Sequence, residues 1–173
     1  MQKLLIVVVV SFLILFTAFC VYSGENDILE KYPHVILSNG IIEASVFLPD
    51  AEKGFYRSTR FEWSGMIWQL TYKNHTYFLQ RNEPNPLPLK QDHDPEKPNH
   101  AASLADQYEK GPARREGEKT YMLIGIGNLD CASGKLVDPG VWDSSSGKNR
   151  VEFIHKLSDD YGRSYRYVKR MEL

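Results

Sequence analysis

The segment Leu48 to Gly65, LPDAEKGFYRSTRFEWSG, gathers the side chains best suited to binding chemistry. Arg57 and Arg60 lie within it among Phe55, Tyr56, Phe61 and Trp63, with glycines at 54 and 65. A guanidinium beside an aromatic ring suits a polyhydroxylated ring compound. The aromatic face stacks on the apolar sugar face, and the five N–H groups donate to hydroxyls. Arg60 is the stronger candidate for a sugar contact, with Trp63 or Phe61 as its stacking partner. The structural alternative has both arginines solvated or paired with Asp50, Glu52 or Glu62, and Trp63 and Trp68 filling a core.

Such residues must be held by a scaffold, and strand patterns dominate the chain. His34 to Asn39 precedes Ile41 to Leu48, in which Ile42, Ala44, Val46 and Leu48 share a face opposite Glu43 and Ser45. Asn39-Gly40 between them predicts a tight turn. Met66, Trp68, Leu70 and Tyr72 alternate with Gln69 and Thr71, and Lys73-Asn74 turns the chain into a short strand over Thr76 to Leu79. Asn74-His75-Thr76 has the form of a glycosylation sequon. Tyr121 to Leu129 is an apolar run in which Gly125 and Gly127 mark a bulge or a close backbone approach. Val151 to Leu157 and Ser164 to Leu173 read as a hairpin, with Tyr165, Tyr167, Lys169 and Met171 on one face of its second strand. His155 falls in register with Val151 and Phe153, so it is expected to be packed rather than catalytic.

Residues Gln80 to Glu118 break this pattern. Five of the nine prolines lie between Pro84 and Pro98 among polar residues, which predicts a long polar loop. No amphipathic helix follows the N-terminal segment, so the fold class is mainly β, a sandwich or barrel of antiparallel sheets.

Residues 1–23 read as a signal peptide. Lys3 precedes an apolar run over Leu4 to Phe16, and Val21 and Ser23 offer small residues before Gly24. The expected location is outside the cytoplasm, periplasmic or extracellular. The alternative is anchorage by an uncleaved segment, since Leu4 to Tyr22 is nearly long enough to span a bilayer. Phe19 before Cys20 is too bulky for a good lipobox. Without the signal, Cys131 is the remaining cysteine, which leaves no intramolecular disulfide and no cysteine-based metal site. The net charge of −1 argues against a nucleic-acid partner.

Four blocks in order carry a further resemblance: SNGIIEASVFLPDAEKGFYRSTRFEWSGMI over Ser38 to Ile67, IGIGNL over Ile124 to Leu129, VDPGVW over Val137 to Trp142, and RVEFIHKL followed by YRYVKRMEL. Together they resemble a family of exported bacterial proteins with a galactose-mutarotase-like fold, whose relatives include aldose 1-epimerases. The resemblance implies a β-supersandwich binding a sugar in a cleft across one sheet. It also implies no cofactor and no metal. Epimerases of this kind open the sugar ring with a carboxylate base and a histidine acid. The family's His-Asp pair maps ambiguously onto this chain. His93-Asp94 has the dipeptide, whereas His100, after DPEKPN, fits the spacing but is followed by Ala101. The family's acid and base come largely from a second half of the supersandwich that residues 24–173 do not supply. The expectation is therefore the N-terminal part of that domain, binding sugar without the base, and completed by a second polypeptide or a missing C-terminal half. The competing readings are a non-catalytic carbohydrate-binding module and a module that pairs through an open strand edge.

Overall fold

A computed structural model describes residues 29–77 and 116–173. Tyr32–Leu173 forms one compact unit. The signal segment and most of the proline-rich loop lie outside the described residues. Among the described residues no helix is long and apolar enough to cross a membrane.

The fold is mainly β, built as three antiparallel sheets. The first joins β1 (His34–Ser38), β2 (Ile42–Phe47), β3 (Met66–Tyr72) and β4 (His75–Thr76) in sequence order. The Asn39-Gly40 turn forms as expected. Asn39 Oδ1 accepts from the Ile41 and Ile42 amides at 2.9 and 2.8 Å, and Gly40 takes φ +86°, a value that suits glycine. At the β3–β4 turn Lys73 and Asn74 both have positive φ, 49° and 62°, the two-residue geometry that matches the strand twist. This second strand covers His75–Thr76, one residue earlier than the sequence pattern places its start.

Simple alternation in β3 does not survive. Ser45 pairs with Gln69, but Val46 pairs with Ile67, so Trp68 is the extra residue of a bulge. The bulge reverses the alternation midway through the strand. Ile67 and Leu70 therefore both reach the face carrying Ala44 and Val46. Trp68 instead packs with Phe47 and Phe55, at ring-centroid distances of 5.4 and 5.3 Å. Phe55 stacks on Phe47 at 4.1 Å, and Tyr32 closes the group edge-on.

The second sheet has β5 (Thr120–Leu123), β6 (Gly127–Asp130) and β7 (Leu136–Asp138). The apolar run from Tyr121 to Leu129 is thus a hairpin, with its turn at residues 124–126. Gly125 sits there at φ +75°. The expected close approach is present too: a Cβ on Gly125 would lie 3.0 Å from Cδ of Glu62 and closer still to its Cγ.

The third sheet has β8 (Val141–Ser146), β9 (Arg150–Ser158) and β10 (Ser164–Glu172), in the order β10-β9-β8. The predicted hairpin is β9–β10, paired from Ser164↔Ser158 to Glu172↔Arg150. Asp159 organises its loop by accepting from the Tyr161 and Arg163 amides and from Arg163 Nε at 2.6 Å. The faces of β10 alternate as expected, with Tyr165, Tyr167, Lys169 and Met171 inward. β8 carries three consecutive serines and is mostly exposed, so no hydrophobic period announces it.

The first and third sheets pack face to face. Leu37, Ala44 and Val46 meet Val151 and Phe153, all at 1% exposure or less. Burial of these aliphatic and aromatic groups is the main favourable term holding the two sheets together. A backbone bond from Ser38 N to Lys148 O at 2.8 Å ties the edge of the first sheet to the β8–β9 turn.

Candidate functional site

The arginine-bearing segment 49–65 lacks regular secondary structure, so its shape depends on tethers. Asp50 Oδ1 accepts from the Glu52 and Lys53 amides at 2.8 and 2.7 Å. These bonds, Lys53's foremost, hold its carboxyl below the usual carboxylate range. Arg57 donates to the Glu52 carbonyl. The Tyr56 hydroxyl accepts from the Phe61 amide at 3.0 Å, and burial pushes that phenol up. Trp63 Nε1 donates to Ser58 O at 2.8 Å, and Trp63 N donates to Gly125 O at 3.0 Å.

The deepest tether is ionic. Glu62 is 0% exposed. Its Oε2 accepts from Lys169 Nζ at 3.2 Å, and its Oε1 accepts from the Ser64 hydroxyl. Lys169 Nζ also donates to Ser64 O at 3.2 Å. One lysine of β10 therefore clamps the segment from more than a hundred residues away. Gly125 is small because Glu62 fills the space a side chain would occupy.

A column of rings stands behind this clamp. Trp63 and Trp142 lie nearly parallel at 6.4 Å, and Trp142 stacks on His155 at 4.1 Å with an interplanar angle of 3°. His155 is 0% exposed. Its Nε2 lies 2.8 Å from Pro139 O and donates to it, which leaves Nδ1 to accept from the Tyr165 hydroxyl at 3.0 Å. The same hydroxyl lies 3.2 Å from Leu123 O. Burial holds His155 below the usual imidazole range, against the opposing pull of Pro139 O, and burial raises the Tyr165 phenol.

The candidate residues separate on these tethers. Arg57 and Arg60 share the segment and are both partly exposed. The Arg60 guanidinium lies over the Phe61 ring, 5.0 Å from its centroid. Trp63 is 2% exposed and spends its ring on packing, so the partner beside Arg60 is Phe61. Glu62 pairs with Lys169 rather than with an arginine. His93 and His100 lie outside the described residues. His155 is packed, as its register implies. Glu62 and His155 could in principle move protons, but both are fully buried and already bonded. Sequence reasoning did not pair Glu62 with Lys169. The available signal was a lysine on the tyrosine-bearing face of β10, where a charge needs a partner.

Two open clefts lie along the third sheet. One, of about 560 Å³, is lined by Asp138, Val141, Lys156, Ser158, Tyr165 and Arg166 among others. The other, of about 300 Å³, includes Ser145, Arg150, Glu152 and Arg170. Neither is lined by Arg57 or Arg60. Among the described residues no cluster of three or more His, Cys, Asp or Glu could hold a metal ion.

No family model, curated protein or solved structure matches this chain. The resemblance to the mutarotase-like family therefore stands on the sequence motifs alone.

Proposed function

We propose that this chain binds carbohydrate through the Arg60–Phe61 platform, without turning it over, on a scaffold of the galactose-mutarotase-like kind. The observation that carries the reading is the way segment 49–65 is held. Arg60 and Phe61 stay partly exposed, while Tyr56, Ser58, Glu62 and Trp63 around them are buried and bonded. A guanidinium and a ring fixed in this way lose little freedom when a ligand arrives. The burial of Glu62 and His155 favours binding over acid–base catalysis. An exported protein, directed by residues 1–23, completes the proposal.

The test is titration of a panel of neutral aldoses, followed by amide shifts in two-dimensional NMR. Saturable shifts at Arg60 and Phe61 are expected, with at least about tenfold weaker binding in Arg60→Ala. Polarimetry on the same samples should show anomer exchange no faster than in buffer. Absence of saturable binding by the parent across the panel, or undiminished affinity in an Arg60→Ala variant whose urea midpoint equals the parent's, would refute it.

A second reading draws on β10. This nine-residue strand comes last in the strand order β10-β9-β8 of its sheet. Such an edge can accept a strand from a second polypeptide. Concentration-dependent association in size-exclusion chromatography supports that reading, and a clean monomer removes it.

A further inference from the structure

We infer that the cleft beside the β7–β8 corner is a binding site for a small hydroxylated oxyanion, such as a sugar acid or a sugar phosphate. The argument starts from the rungs of the third sheet. On its solvent face Arg170 lies directly opposite Glu152, and the two form an ion pair at 2.8 Å. Four residues along β10, Arg166 lies directly opposite Lys156. Like charges placed opposite each other destabilise a sheet, so this rung breaks the rule that its neighbour obeys. Neither the Lys156 nor the Arg166 side chain makes a hydrogen bond or ion pair among the described residues.

The unbalanced rung borders open space rather than a packed surface. Lys156 and Arg166 both line the cleft of about 560 Å³, a size within the range of small-molecule sites. The next rung on the same face toward the hairpin loop pairs Ser158 with Ser164, and both serines line the same cleft. On the other side Lys156 is opposite Val141, which is 66% exposed and lines the same cleft. Asp138 also lines the cleft, with its Oδ1 engaged by the Gly140 amide at 2.8 Å.

These groups suit one kind of ligand. Two adjacent cations bind a carboxylate or phosphate through charge-assisted hydrogen bonds. The serine hydroxyls and the Asp138 carboxylate serve ligand hydroxyls. Asp138 also repels a bare anion, which favours an oxyanion that carries donors. The like-charged rung then has a physical reason: it costs stability in the empty protein and is compensated when the anion binds.

The test uses NMR amide shifts with glucuronate, glucose 6-phosphate, inorganic phosphate and glucose as separate arms. Saturable shifts at Val141, Lys156, Ser158 and Arg166 are expected from glucuronate, glucose 6-phosphate or both. The arm that binds identifies the oxyanion. Lys156→Gln and Arg166→Gln should each weaken binding about tenfold. Both are exposed side chains, so the variants should fold, and Lys156→Gln should raise the melting temperature of the ligand-free protein by relieving repulsion. Arg150→Gln, in the smaller cleft, should leave binding unchanged. The inference is overturned if neither hydroxylated anion gives saturable shifts up to about 50 mM. Equal binding of glucose, equal binding of inorganic phosphate, or full affinity in both glutamine variants would also overturn it. The site does not depend on the Arg60 platform, and Arg60→Ala should leave it intact, so the two proposals fail separately.

Discussion

Replacing Lys169 with methionine removes the cation from the Glu62 clamp while keeping most of the side chain's apolar length. Glu62 is then a carboxylate at 0% exposure, left with the Ser64 hydroxyl as its remaining donor among the bonds described above. Breaking a buried pair in this way costs about 3–5 kcal/mol, because the stranded charge has lost water and partner together. Lys169 is itself 18% exposed, so some screening reaches the pair and the lower half of that range is expected. With a urea slope of about 2 kcal/mol per molar, a loss of about 3–4 kcal/mol moves the midpoint down by about 1.5–2 M. The double variant Glu62→Leu/Lys169→Met removes both charges and should recover most of that loss. Equilibrium urea unfolding, followed by tryptophan fluorescence and circular dichroism together, supplies the four corners of the cycle. A loss under about 1 kcal/mol in Lys169→Met, or a double variant equal to the sum of the singles, refutes the idea that one ion pair clamps segment 49–65.

Gly125→Ala should cost about 3 kcal/mol in the same assay, since φ +75° strains an alanine and its methyl would collide with Glu62. Phe153→Ala, at 0% exposure between the two main sheets, should cost about 3–5 kcal/mol. Lys73→Asn with Asn74→Gly should stabilise by about 0.5–1 kcal/mol, since both positions have positive φ. His155 titrates below its ordinary 6.5 in the folded chain, so the unfolded chain takes up its proton first as pH falls. Its contribution to stability is therefore present above about pH 6.5 and declines below it. Urea midpoints measured from pH 7.5 down to about 5 should fall less steeply in His155→Phe than in the parent, and equal slopes would refute this assignment.

Local chemistry determined much of what the sequence shows by itself. Asn39-Gly40 and Lys73-Asn74 turn because their side-chain acceptor and backbone tolerance act within a few residues. The faces of β9 and β10 were legible because a period of two follows from the pleat. The mainly β class follows from the same patterns. β8 was not legible, because Ser144, Ser145 and Ser146 earn their strand from pairing with β9 and not from their own hydrophobicity. The bulge at Trp68 was hidden for a related reason: only the register against β2 shows that one residue is extra.

The site depended still more on distant contacts. Arg57, Arg60 and Phe61 stood out by residue type alone, but which rings remain available was set by the packing of Trp63 against Trp142. The pairing of Glu62 with Lys169 joins points 107 residues apart, and no local pattern encodes such a meeting. Likewise, Lys156 and Arg166 are ordinary surface cations until the hairpin register sets them face to face. Sequence thus decided which groups are present and how each strand alternates, since both depend on near neighbours. Tertiary structure decided which charges find partners, because burial and pairing are properties of surfaces brought together only when the sheets close.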